Sequence, residues 1–274
     1  MPHPPAPAGR ECDPGHVPSV SSPAALRRAA AGFDFSGPGL VIEPVARSAV
    51  RESLDRTGLL LLGEVHGVRE NPLLIRALLR AFGLTSLGLE WPAELAPVIR
   101  AFLAGPDLAS GHRPGDDLAD HWELWTGDGR ITAGHLAVLA ERTATRPLEL
   151  ILFDGPVYAD WSWSQCDEAM ARRVLAASPA GTPTLVVAGN AHTVTHETEL
   201  GTPMGAYLAR ERPGIAEIRI SYGGGSFYNG GPRRFGGGMK ESRPVTLAER
   251  DGTLVLDLPW AEEAVVPQRP GPYK

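Results

Sequence analysis

Glu64, His66, Glu90, Asp154 and His192 each stand just after a short apolar run. Leu59-Leu60-Leu61-Leu62 leads into Gly63-Glu64-Val65-His66-Gly67, and the run ending at Leu89 leads into Glu90-Trp91-Pro92. The run ending at Phe153 leads into Asp154-Gly155-Pro156, and the one ending at Ala188 into Gly189-Asn190-Ala191-His192-Thr193. Glu64 and His66 are two positions apart, so on an extended chain their side chains share a face. A carboxylate beside an imidazole makes either a base with an orienting partner or two ligands of one metal ion. Glu90 and His192 complete a set of two histidines and two carboxylates. That set can hold a divalent metal with an open position, its ligands then being Glu64, His66, Glu90 and His192, or it can activate water with no metal. Each residue alone has an ordinary reading as a cap, a surface charge or a satisfied hydrogen bonder, and Asp154 before Gly-Pro is also good turn chemistry. Together at one edge they resist that reading, because buried carboxylates need partners.

The elements that must position them follow from the apolar pattern. Strands are expected over 58–63, 86–89, 148–153, 184–188, 216–221 and 253–258, several of them apolar on successive residues as in a sheet buried on both faces. Helices are expected over 72–82, 93–103, 133–143, 167–177 and 204–211. Asn71-Pro72 reads as an N-cap followed by Pro at the first helical position, and Gly83 as the residue closing that helix. Alternation at this spacing predicts an α/β fold, a mostly parallel central sheet flanked by helices. In such a sheet ligands bind outside the carboxyl ends of the strands, where the five residues fall.

Two stretches interrupt the rhythm and are expected to be irregular lid insertions, near 105–130 and 222–245, the second carrying eight glycines between 222 and 238. Residues 1–24, rich in Pro and small residues, read as a disordered leader, with 25–274 as a single domain. Trp91, Asp154, His121, Tyr222 and Tyr228 are expected to line the substrate pocket. His121 and His135 sit in or beside the first insertion with nothing in the sequence to place them. His196 stands four residues after His192, but Thr193-Val194-Thr195 is a poor helix start, so it is accessory at best.

Composition excludes several classes. The 274 residues carry 26 Lys+Arg against 32 Asp+Glu, a net charge of −6, which leaves no basic excess for nucleic acid. No apolar run approaches the roughly 20 residues of a membrane span. Prolines occupy the place of a signal-peptide core, and two cysteines, Cys12 and Cys166, cannot build a thiolate site, so a cytoplasmic setting is expected. There is no G-x-S-x-G elbow, no P-loop, no H-E-x-x-H, and no dinucleotide fingerprint.

The two G-x-x-H motifs, Gly63-Glu64-Val65-His66 and Gly189-Asn190-Ala191-His192, with Glu90 ending a strand of its own, resemble a superfamily. It holds the erythromycin esterases, the ChaN-like haem-binding proteins and the TIKI/TraB-type proteins. The G-x-x-H spacing looks like the ChaN and TIKI branches. His66-Gly67-Val68-Arg69-Glu70 looks like the H-G-x-x-E of the esterases, whose first motif has one more residue between Glu and His. Asp167-Glu168-Ala169-Met170-Ala171 is similar to the esterases' D-x-x-M-A helix, with Cys166 where they usually carry Arg. The resemblance spans roughly 58–193. It implies an α/β fold with its site at the strand carboxyl ends. In the esterases Glu64, His66, Glu90 and His192 would activate water. In the TIKI-type peptidases they would hold a metal, and in the ChaN-like proteins the implied activity is haem binding.

The expected activity is acid–base hydrolysis of an ester, lactone or amide in a small-molecule or peptide substrate, with His66 or a Glu-His pair deprotonating water and His192 stabilising the oxyanion or protonating the leaving group. The same cluster can instead drive an elimination or cyclisation. The alternative from another class is a haem- or metal-binding protein without turnover, with Tyr222, Tyr228 or His121 as axial ligand.

Overall fold

The computed structural model describes residues 19–104, 127–145, 147–155, 160–179, 181–237, 240–241 and 243–268. In chain order the elements are β1 (Ser19–Val20), α1 (Pro23–Ala31), β2 (Leu40–Ile42), α2 (Pro44–Thr57), β3 (Leu59–Glu64), α3 (Asn71–Ala81), β4 (Ser86–Pro92), α4 (Ala96–Ala104), α5 (Ala133–Thr145), β5 (Glu149–Asp154), α6 (Trp163–Ala177), β6 (Thr184–Gly189), α7 (Met204–Glu211), β7 (Ala216–Tyr222), β8 (Gly225–Tyr228), β9 (Pro232–Phe235), β10 (Val245–Arg250), β11 (Thr253–Leu258) and β12 (Val266–Pro267). One eight-stranded sheet runs β2-β10-β11-β7-β3-β6-β4-β5. Every neighbouring pair in it is parallel except β10 and β11, so β2 and β10 run against the other six. The α/β expectation holds, and no helix among the described residues is long and apolar enough to cross a membrane.

Unbroken apolar runs become strands buried on both faces. Leu59 and Leu61 point into a cluster with Phe153, Met170 and Val186, beneath α6 and α7. Leu60 and Leu62 point the other way, into the larger cluster that α1 to α5 cover. All four leucines are fully buried, each contributing roughly 2 kcal/mol of transfer free energy. That burial fixes the strand's register, because a one-residue slip would exchange the two faces.

Several elements differ from expectation for identifiable reasons. α6 begins four residues early because Ser162 and Gln165 form a reciprocal capping box. Asn71 does not cap α3, since its side chain is committed to the site; Gly83, at φ 68°, does close that helix, with the Leu84 N–H reaching Leu79 O at 2.9 Å. Order begins before residue 25: Ser19–Val20 pairs with Val266–Pro267, and the Ser22 side chain caps α1, so 19–24 belong to the fold. The stretch near 222–245 is not irregular throughout, for β8 and β9 form an antiparallel hairpin across Asn229-Gly230-Gly231. α2 was not expected; its buried stripe is Ala46, Val50, Ser53, Leu54 and Thr57, mostly small or polar and therefore a weak apolar signal.

Because β6 lies between β3 and β4, the carboxyl ends of β3, β6, β4 and β5 stand side by side. β4 carries a bulge: Leu89 pairs with Leu152 and Pro92 with Asp154, so Glu90 and Trp91 face one partner residue. The extra residue lets Glu90 turn to the site while Trp91 enters the core.

Candidate active site

The turn after β3 is clamped from three sides. The Val65 N–H donates to the Tyr222 hydroxyl at 2.9 Å, that hydroxyl donates to Asn71 Oδ1 at 3.1 Å, and Asn71 Nδ2 donates to Val65 O at 2.8 Å. Two residues after Val65, Gly67, at φ 72°, donates to Gly129 O, and its carbonyl accepts from the Tyr228 and Ala264 N–H groups. A Cβ at Gly67 would lie 2.0 Å from Tyr228 O, so no other residue fits this turn.

On that platform stand two imidazoles with one plan. His66 Nδ1 lies 3.1 Å from Glu64 Oε1, and its Nε2 faces Glu90 Oε2 at 3.8 Å. His192 Nδ1 lies 2.8 Å from Asp167 Oδ1, and its Nε2 faces the other Glu90 oxygen at 3.9 Å. Asp167 also accepts the Met204 N–H at 2.7 Å, tying α6 to the start of α7. Trp163 stacks on the His192 ring, centroids 5.4 Å apart. Glu90, between the rings, accepts the Gly189 N–H at 2.7 Å and meets Arg130 Nη1 at 3.2 Å. Gly189 lies at the centre: a Cβ there would come 3.2 Å from His66 Nε2 and 3.5 Å from Glu90 Oε2.

Arg130 ties the floor together, bridging Glu90, Asp154 at 2.8 Å and Asp128 at 2.8 Å. Partial burial pushes the Asp128 pKa up, but the Arg130 hydrogen bonds and the His66 charge win and hold it at about 2. Burial also opposes charge on His66, yet the Glu64 hydrogen bond and the Glu90 and Glu64 charges raise its pKa to about 9. His192 is raised as well: desolvation pulls down, and the Asp167 hydrogen bond and Glu90 pull up more strongly. Desolvation pushes Glu90 up, but His66, Arg130 and His192 together lower it, so it is an anion at neutral pH.

Glu64, His66, Glu90 and His192 therefore meet in one place. Asp154 is at the site too, held by Arg130 and by its own turn bond from the Gly155 N–H. Trp91 borders only the small buried cavity at the site: it is 1% exposed, donates to Arg130 O at 3.0 Å, and meets the His135 ring edge-on. Tyr222 is half-buried with its hydroxyl spent on Val65 and Asn71, and Tyr228 is buried with Ala264 and Val266. Their hydrogen bonds and packing make them supports of the site. His121 lies outside the described residues, and His196 is exposed on a turn, away from any helix.

Sequence reasoning missed Arg130, Asp128 and the part played by His135. Asp128-Gly129-Arg130 carried a signal, an acid and a base across a glycine turn. Thr132-x-x-His135 carried another, an N-cap three residues before a histidine. Asp167 entered only through the resemblance; its partner is 25 residues away, a distance no local spacing reveals.

Among the described residues no group of three or more His, Cys, Asp and Glu is arranged to hold a metal ion. The donor set itself does not fit one. Glu90 has one oxygen on the Gly189 amide and the other beside Arg130, both Nδ1 atoms face carboxylates, and a guanidinium already supplies the positive charge at the centre. Haem fares no better on Tyr222, since burial raises its pKa well above the usual value and disfavours the phenolate an iron would need.

No protein-family model, no curated protein sequence and no solved structure matches the chain. The functional reading accordingly rests on the geometry.

Proposed function

We propose that the protein is an acid–base enzyme that hydrolyses an ester, lactone or amide of a small molecule or peptide without a metal, in the manner that the resemblance to the erythromycin esterase, ChaN-like and TIKI superfamily implies for its esterase branch. The observation that carries this reading is the convergence of two imidazole Nε2 atoms on Glu90 while each Nδ1 rests on its own carboxylate.

The expected roles of the two histidines exchange. His66, with a pKa of about 9, stays an imidazolium at neutral pH and suits the electrophilic part. His192 is more open, 22% exposed against 12% for His66, and its Asp167 partner fixes the tautomer that leaves Nε2 free to accept a proton. His192 takes a proton from water as the water oxygen attacks the carbonyl carbon. His66 stabilises the oxyanion and then gives a proton to the leaving oxygen or nitrogen as its bond to carbon breaks. Glu90 holds the rings apart and in register, and Arg130 keeps Glu90 in place. If the substrate's own nucleophile replaces water, the same groups serve the cyclisation reading.

A panel of aryl esters, lactones and amides, assayed with the full chain in excess chelator, tests this. Turnover that persists in chelator and falls at least about 1,000-fold in His66→Ala and in His192→Ala, with both variants folded, supports it. Turnover that vanishes in chelator and returns with a divalent ion overturns the metal-free mechanism, and full activity in either variant removes that histidine from it.

A further inference from the structure

The catalytic scheme leaves buried His135 and one buried oxygen of Glu64 without a role. His135, 3% exposed, sits on the first turn of α5. Its ring edge meets Trp91, and its Nδ1 lies 2.9 Å from Thr132 Oγ1. Glu64 Oε2, the oxygen turned away from His66, is buried with no hydrogen-bond partner. An unpaired buried carboxylate oxygen costs several kcal/mol, so the surroundings should supply a donor. The nearest candidate is His135 Nε2, at 4.0 Å.

The helix cap argues for one position of the hydrogen on the His135 ring. Thr132 Oγ1 accepts the His135 backbone N–H at 3.2 Å, the usual bond of an N-cap hydroxyl. The hydroxyl has one hydrogen of its own, and His135 Nδ1 is the acceptor it faces. Burial lowers the His135 pKa, and the pull of Glu64 only partly offsets it, so the ring is neutral. A neutral ring accepting at Nδ1 bears its hydrogen on Nε2, pointed at Glu64.

A separation of 4.0 Å is too long for a direct hydrogen bond and suits a bridge through one water. Both groups line a cavity of about 10 Å³, together with His66, Glu90, Trp91 and Arg130, and it is closed by Leu89, Val187 and Ala188. That is about the room one water occupies, and the walls are polar enough to hold it. We infer that His135 is a positioning residue: it donates from Nε2, through one water in this cavity, to Glu64 Oε2, and so locks the carboxylate that orients His66. The inference rests on the proposed function only for what His66 does in turnover. The charged groups around His66 are Glu64 on β3, Glu90 on β4, Asp128 and Arg130 on the loop before α5, and His192 after β6.

The test is nitrogen-15 NMR of the histidine rings in the full chain, which needs no substrate. In the wild type, His135 should show an acceptor Nδ1 and a protonated Nε2. In His135→Phe the donor is lost, and the apparent pKa of His66 should fall by about one unit or more as Glu64 turns. His135→Gln, whose amide still donates, should restore most of it. Thr132→Val keeps the ring but removes the hydroxyl, and should populate the other His135 tautomer, so the idea stays testable if the Phe variant fails to fold. A crystal structure should show one water within about 3 Å of both Glu64 Oε2 and His135 Nε2. An unchanged His66 titration in His135→Phe, the opposite His135 tautomer in the wild type, or a dry cavity would overturn the inference. A chain inactive on every ester, lactone and amide that still shows the His66 shift would overturn the proposed function alone.

Discussion

His66 and His192 give Nδ1 to a carboxylate and turn Nε2 toward Glu90, yet the protein enforces the two arrangements differently. The Glu64–His66 pair comes from one strand end and one clamped turn, two residues apart and nearly sealed from water. The Asp167–His192 pair is assembled from a helix and a distant loop, with Trp163 against the open ring. Local construction beside Glu64 and Glu90 holds its ring in the charged form against the cost of burial, and long-range construction nearer the surface leaves the other ring more open to water. The lesson is that one plan of contacts gives two different environments, His66 12% exposed and His192 22%.

Removing what the two share should have the largest effect. Glu90→Ala deletes the anion facing both rings and leaves the Gly189 amide and part of Arg130 without their partner. Turnover should drop at least about 1,000-fold. Unfolding in urea should show a loss of about 3 kcal/mol or more, as expected when one member of a buried ion pair is deleted. A Glu90→Ala protein of wild-type stability and activity would mean that the rings do not act through a common centre.

Next come variants that strike one pair at a time. Asp167→Asn keeps the shape but can present the wrong hydrogen to His192 Nδ1, and should cost about 100-fold to 10,000-fold in kcat with little change in KM. Glu64→Gln should cost less at its own optimum and change the pH dependence more. If His192 is the base and His66 the acid, kcat rises as His192 loses its proton and falls as His66 does, with the alkaline limb near pH 9. Glu64→Gln removes the hydrogen bond and the charge that raise His66, so this limb should move toward pH 6.5. An alkaline limb that stays near pH 9 in Glu64→Gln would assign it to another group.

How much of this was legible in sequence follows from the same contrast. Apolar runs such as Leu59 to Leu62 are visible because both faces are buried, and they brought the α/β architecture and the strand-end residues with them. Glu64, His66, Glu90 and His192 were readable because strand ends in a parallel sheet share an edge. The partners of those residues were not, since Asp167, Arg130 and His135 reach the site through tertiary contact. The placing of Trp91, Tyr222 and Tyr228 was not legible for a related reason. An aromatic next to a catalytic position can support it from behind as well as line it from the front, and only packing distinguishes the two.

The smallest expected effect sharpens the comparison at the level of stability. His66 has a folded pKa of about 9 against an ordinary 6.5, so the folded state holds its proton more tightly than the unfolded chain. Stabilisation of that sign is complete below pH 6.5 and disappears as pH rises through 9. That difference corresponds to at most about 3.5 kcal/mol. Urea denaturation of the wild type and His66→Gln, run between pH 6 and 9.5, should show the wild-type advantage shrinking across this window. The same comparison with His192→Gln should shrink in the same direction but by less, because that ring is more open to solvent. An advantage that holds constant from pH 6.5 to 9 would place a neutral ring between Glu64 and Glu90, and the buried histidine would then compete with His192 for the role of base.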